Sequence, residues 1–99
     1  MMFTERIKKL REIRQLPQRQ LAAALEIDTA TYCKIERGDR RARREQIIIL
    51  ANLLQADQDD LLALWLADRV YCVIKDEEQA DKALNIVAEN IVMYKRKKK

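Results

Sequence analysis

Residues 16–38 read LPQRQLAAALEIDTATYCKIERG, and this stretch decides the fold because two short amphipathic helices and a tight connector can be written through it. Pro17 suits a helix entrance, where its missing N–H is no loss and its fixed φ is already helical. The helix it opens covers residues 18–25 and turns Leu21, Ala22 and Leu25 to one side. Glu26, Ile27 and Asp28 connect it to a second helix, for which Asp28 is a good N-cap. That helix, residues 29–37, carries Tyr32 and Ile35 inward and stops at Gly38, the chain's single glycine, which suits a left-handed C-terminal cap. Two short helices that cross steeply need a small residue at the crossing, and Ala22 supplies it. Gln18, Thr29, Ala30, Cys33, Lys34 and Arg37 remain on the outward side.

The flanking sequence extends the same pattern. Upstream, a helix is predicted from Thr4, as N-cap, to Gln15, with Ile7 and Leu10 on one face and Leu16 after it. Downstream, residues 44–55 place Ile47, Leu50, Ala51 and Leu54 on one face. In residues 58–75 the apolar side chains Leu61, Leu62, Leu64, Trp65, Leu66, Val70, Tyr71, Val73 and Ile74 cover more than one face, more than a single packing surface needs. Trp65 and the leucines around it read as core. Asp76 and Gln79 have capping-box spacing and open a last helix, in which Ala80, Leu84, Val87, Ile91 and Tyr94 recur at steps of four and three. Such a seam calls for a partner.

The fold class is therefore all-α, with one core in a chain of 99 residues. There is no serine and no histidine, which excludes serine-hydrolase and histidine acid–base chemistry. With one glycine, neither a P-loop nor a dinucleotide-binding glycine pattern can be written. Cys33 and Cys72 lie 39 positions apart, matching neither a zinc site nor a disulfide framework, so they read as reduced thiols. These features predict no enzyme activity, no cofactor and no metal. The longest uncharged run, residues 46–56, is too short for a membrane span, and a cytoplasmic location is expected.

Charge is segregated along the chain. Residues 1–56 hold twelve Lys/Arg against seven Asp/Glu, residues 57–94 hold three against nine, and residues 95–99 add five cations. The basic first half is suited to meeting phosphates, the acidic segment is not, and the terminal lysine-rich tail reads as disordered.

Residues 16–38 closely resemble the helix-turn-helix of the phage-repressor-like, or XRE-like, family of bacterial and phage regulators. Arg11 and Glu36 match the family's helix-1 arginine and helix-3 glutamate, which form an internal ion pair, and Leu50-Ala51 followed by Asp59-Asp60-Leu61-Leu62 resembles its "LA…DELL" ending. The likeness covers about residues 3–66. It implies a five-helix repressor-like DNA-binding domain over residues 1–66, a C-terminal helical region over 67–94 for dimerisation, and a basic tail over 95–99.

By the same likeness, residues 29–37 lie in the major groove of double-stranded DNA, with Thr29, Ala30, Cys33 and Lys34 as base readers. Gln18 matches a phosphate-binding glutamine at a helix N-terminus. Arg19, Arg37, Arg40, Arg41, Arg43 and Arg44 join it as backbone contacts. Three departures stand out: Glu26 replaces a glycine in the turn, and Pro17 and Arg43 stand where Ser or Thr caps are usual. A left-handed Glu26 and an uncapped Arg43 would each cost about 1 kcal/mol. Arg43 and Arg44 also oppose the helix macrodipole, so the arginines of residues 40–44 are assigned to clamping phosphates.

The C-terminal helices either fold back on their own domain or pair with a second chain, and the family's habit favours a homodimer with an interface at Val70, Val73, Ile74, Leu84, Val87 and Ile91. The expected function is a sequence-specific transcriptional regulator, a homodimeric repressor of a palindromic operator. The alternative is a DNA-binding antitoxin or adaptor whose C-terminal helices hold a heterologous protein partner.

Overall fold

A computed structural model describes residues 2–97, and among these every regular element is an α-helix. The order is α1 (Met2–Ile13), α2 (Gln18–Ala24), α3 (Thr29–Arg37), α4 (Arg44–Leu54), α5 (Gln58–Ile74) and α6 (Ala80–Lys97). The chain divides into two compact units, one ending at Asp68 and the other beginning at Arg69, with α5 running across the division.

In the first unit α3 packs on α2 and α1, and α4 packs on the same two helices. Ile7, Leu21, Tyr32, Ile35, Ile47, Leu50, Leu54 and Leu61 are its largest fully buried side chains, so each of α1 to α5 contributes to one core. Ala22 is buried among them, where its small side chain permits close approach of the neighbouring helix.

Helix α1 begins two residues before the predicted Thr4 cap. Capping falls instead to Asp68, whose Oδ1 accepts from the Met2 N–H at 2.9 Å and whose Oδ2 accepts from the Phe3 N–H at 3.0 Å. A carboxylate at a helix N-terminus satisfies orphan donors and complements the macrodipole. The extra turn brings Phe3 into the core at 3 % exposure, in register with Ile7 and Leu10.

Four helices of this unit end in the same way. After α1, α2, α3 and α4 the residues Gln15, Glu26, Gly38 and Gln55 take positive φ of 57°, 57°, 86° and 52°. The amide one residue further on reaches back to Arg11, Ala22, Lys34 and Ala51 carbonyls respectively, at 2.8–3.1 Å. These are Schellman closures, and three of the four place a residue with a Cβ in the left-handed region. The left-handed Glu26 in the α2–α3 turn is the departure foreseen from its replacing glycine. Arg14 closes α4 further by donating from Nε to the Leu54 carbonyl at 2.9 Å and from Nη2 to Gln55 Oε1 at 2.6 Å.

In the second unit, α6 buries none of its residues. Val70, Val73, Leu84, Val87 and Ile91 are exposed, and Ile74 is half-buried. Helix α6 does not open on an Asp76–Gln79 capping box. Lys75, Asp76, Glu78 and Gln79 lie in turns, and the Gln79 carbonyl accepts the Ala83 N–H at 2.9 Å, which puts the helix entrance at Gln79. At the other end α6 continues past Tyr94 through Lys95, Arg96 and Lys97, so the first three residues expected to be a disordered tail are helical. Basic side chains in a last turn face the negative end of the macrodipole, which favours this extension. Lys98 and Lys99 lie outside the described residues. No helix among the described residues is long and apolar enough to cross a membrane.

Candidate nucleic-acid interface

The exposed start of α3 is built from both ends of the helix. Asp28 takes extended dihedrals and its Oδ1 accepts from the Thr31 N–H at 2.6 Å, fixing the first turn. The Thr31 hydroxyl and then this backbone bond, aided by the charges of Lys34 and Arg40, hold the Asp28 carboxyl below the usual carboxylate range. Gly38 stops the helix in the left-handed region. Between these caps Thr29, Ala30 and Lys34 are exposed and Cys33 is half-buried, while Tyr32, Ile35 and Glu36 are buried.

Beneath α3 lies a polar anchor. Arg11 of α1 donates from Nε to Glu36 Oε2 at 3.0 Å and from Nη2 to Oε1 at 2.8 Å, while its Nη1 reaches the Leu16 carbonyl at 3.0 Å. The pair foreseen from the family resemblance is thus present, and it ties α1, the α1–α2 turn and α3 together. Burial alone would raise the Glu36 pKa, but the hydrogen bonds and charge of Arg11, the adjacent Tyr32 hydroxyl and the Gln18 amide together bring it below the usual range. The Tyr32 hydroxyl is wholly buried beside this carboxylate without a hydrogen bond of ordinary geometry. Its proton is held well above the usual phenol range, first by burial and then by Glu36.

Gln18 extends the anchor outward. Its Nε2 donates to Glu36 Oε1 at 3.3 Å and its Oε1 accepts from Cys33 Sγ at 3.0 Å. The amide assigned from sequence to phosphate thus spans α2 and α3 internally, and Cys33 is turned partly toward it rather than fully outward. A fixed amide at the head of α2 ties the entrance of that helix to α3.

The arginines differ in their engagement. Arg19 and Arg40 are exposed. Arg37 pairs with Asp39 at 3.0 Å in an open surface bridge, of a kind worth little in water. Arg43 has no side-chain cap to offer, but Gln46 supplies half of a capping box by accepting the Arg43 N–H at 2.8 Å, which offsets part of the cost foreseen there. The Arg41 guanidinium sits 3.9 Å from the centre of the Trp65 ring, and that of Arg44 5.4 Å from it. Trp65 is therefore not simply core: it is half-buried, and its indole Nε1 donates to the Ala42 carbonyl at 2.8 Å.

Sequence reasoning missed Asp68, Arg14 and the outward role of Trp65. For the first two no local pattern exists, since their partners lie 65 or more and 40 or more residues away. For Trp65 a signal was present: an indole N–H beside a core seeks an acceptor.

Paired short helices on a shared polar anchor, one presenting an exposed face bordered by arginines, define a helix-turn-helix protein suited to DNA. A helix-turn-helix domain family matches residues 3–65. An uncharacterized HTH-type transcriptional regulator, YqaE of Bacillus subtilis (strain 168), is 31% identical over 84 residues, which cover 85% of this chain and 68% of that one. No solved structure matches the chain. The chain belongs to the helix-turn-helix family of DNA-binding transcriptional regulators, in its phage-repressor-like, XRE-like branch.

Proposed function

We propose that the chain is a homodimeric repressor that reads a palindromic operator through α3. The observation that carries this reading is the exposure of Thr29, Ala30 and Lys34 on the outer face of α3, between two caps and above the Arg11–Glu36 anchor. Lys34 is suited to donate to guanine O6 or N7, Thr29 to hydrogen-bond base edges, and the Thr29 and Ala30 methyls to meet a thymine methyl. Cys33, half-buried against Gln18, contributes its outer edge to the same face. Arg19, Arg37, Arg40, Arg41, Arg43 and Arg44, with the α2 entrance at Gln18, contact phosphates and set register without reading sequence.

The exposed Val70, Val73, Leu84, Val87 and Ile91, with half-buried Ile74, support a second copy as partner. Two copies related by a two-fold axis would set two α3 helices about 34 Å apart, one turn of DNA. The same exposed residues favour the second reading, an antitoxin or adaptor holding a different protein. That reading calls for a monomer in isolation, whereas a repressor of this kind elutes as a dimer.

Selection from a random duplex pool at physiological salt tests the function. The wild type should enrich a palindrome, and Thr29→Ala/Lys34→Ala should degrade that preference. Weak, salt-sensitive binding with nothing enriched would exclude a sequence-reading repressor.

A further inference from the structure

We infer that Trp65 is a positioning residue for DNA-backbone contact: it holds the α3–α4 loop so that Arg41 and Arg44 meet a phosphate as a preformed pair. The inference rests on the DNA reading of the preceding section and adds a residue of α5 to it.

Three contacts converge on this one side chain. The Trp65 indole N–H donates to the Ala42 carbonyl at 2.8 Å, and Ala42 itself is buried, so the middle of the loop is pinned. The Arg41 guanidinium lies 3.9 Å from the ring centre and its Nη1 donates to the Trp65 carbonyl at 3.3 Å. The Arg44 guanidinium approaches the same ring at 5.4 Å. Two cations brought to one ring repel each other, and the negative faces of an aromatic ring lessen that repulsion. A guanidinium stacked by its face carries its N–H donors at its edge, in the plane that suits a phosphate. The two charges gathered on one ring complement the phosphates that double-stranded DNA offers. Side-chain ordering that a flexible arginine loop would undergo on binding is already accomplished.

The experiment measures affinity for the selected duplex and for an unrelated duplex over a series of salt concentrations, for wild type, Trp65→Leu and Trp65→Phe. Trp65→Leu should weaken both duplexes by the same factor, about tenfold, and flatten the dependence of log K on log salt by roughly 0.9 for each phosphate contact released. Trp65→Phe, which keeps an aromatic face, should recover at least half of the lost slope. Destabilisation of the fold alone would lower the active fraction and leave the slope unchanged, and an unchanged slope in a folded Trp65→Leu overturns the inference. If Trp65→Leu does not fold, a double-mutant cycle of Trp65→Phe with Arg41→Ala decides: less than additive losses support action through the guanidinium, and additive losses contradict it. A wild type that binds neither duplex sinks the DNA reading as well. A wild type that binds while its variants keep its slope sinks this inference alone.

Discussion

Arg11 of α1 and Glu36 of α3 face each other through two hydrogen bonds of 3.0 and 2.8 Å, with side chains only 13% and 3% exposed. A bidentate guanidinium–carboxylate pair fixes orientation as well as distance. Glu36 belongs to the helix that presents Thr29, Ala30 and Lys34, so the rigidity of that exposed face depends on the pair.

Removing one member of a buried pair costs more than the pair itself contributes, because the other charge is left buried. Arg11→Met should lose about 3 kcal/mol of stability at pH 7 by urea denaturation, and Arg11→Met/Glu36→Met should regain much of it. The pH dependence should reverse sign. In the wild type the Glu36 pKa lies below its ordinary 4.5, so its contribution is present above 4.5 and is lost as pH falls through the lowered folded value. In Arg11→Met burial dominates and raises that pKa, so the variant should gain stability relative to wild type as pH falls from 7 toward 4.5. Parallel pH profiles for the two proteins would contradict this.

Tyr32 gives a contrasting expectation. Its hydroxyl is buried without a bond of ordinary geometry, so Tyr32→Phe removes little that stabilises the fold. The variant should unfold within about 1 kcal/mol of wild type, whereas Tyr32→Ala should lose about 3–5 kcal/mol through the cavity.

The left-handed closures offer stabilising changes. Glu26→Gly should add about 1 kcal/mol, because the residue has φ of 57° and its side chain is exposed. Gln55→Gly should gain less, since Gln55 Oε1 accepts from Arg14 and that bond disappears. Thermal denaturation of the two variants side by side checks the order.

These closures also mark how far the sequence is legible. The α2–α3 pair is readable because its signals are local: Pro17 at the entrance, Asp28 as cap, Gly38 as stop, and apolar residues at helical spacing. The Arg11–Glu36 pair is readable only through family likeness, as 25 residues separate the partners. The start of α1 is not readable, because the group that caps it is Asp68, supplied by folding rather than by neighbouring sequence. Likewise the loop of residues 40–44 shows its charge in the sequence but not its attachment, since nothing local tells that Ala42 and Arg41 rest on Trp65. The entrance of α6 shows the opposite failure, where a local capping pattern at Asp76 and Gln79 is present and unused.

Asp68→Ala should therefore act at a distance. Loss of both bonds to Met2 and Phe3 should cost about 1–2 kcal/mol and fray the first turn of α1, seen as faster amide exchange there than elsewhere in the helix. Amide exchange changed only within α5 would show that the cap is not what holds α1.

If α3 reads bases while the arginines around it hold the backbone, the affinity ratio between the selected duplex and an unrelated one shows it most directly. Lys34→Ala should lose about 1–3 kcal/mol on the selected duplex and little on the unrelated one, collapsing the ratio. Arg43→Ala should weaken both alike, preserve the ratio and lower the salt slope by about 0.9. Equal weakening of both duplexes by Lys34→Ala, or a wild-type ratio near one, would contradict the assignment of α3 as the reading helix.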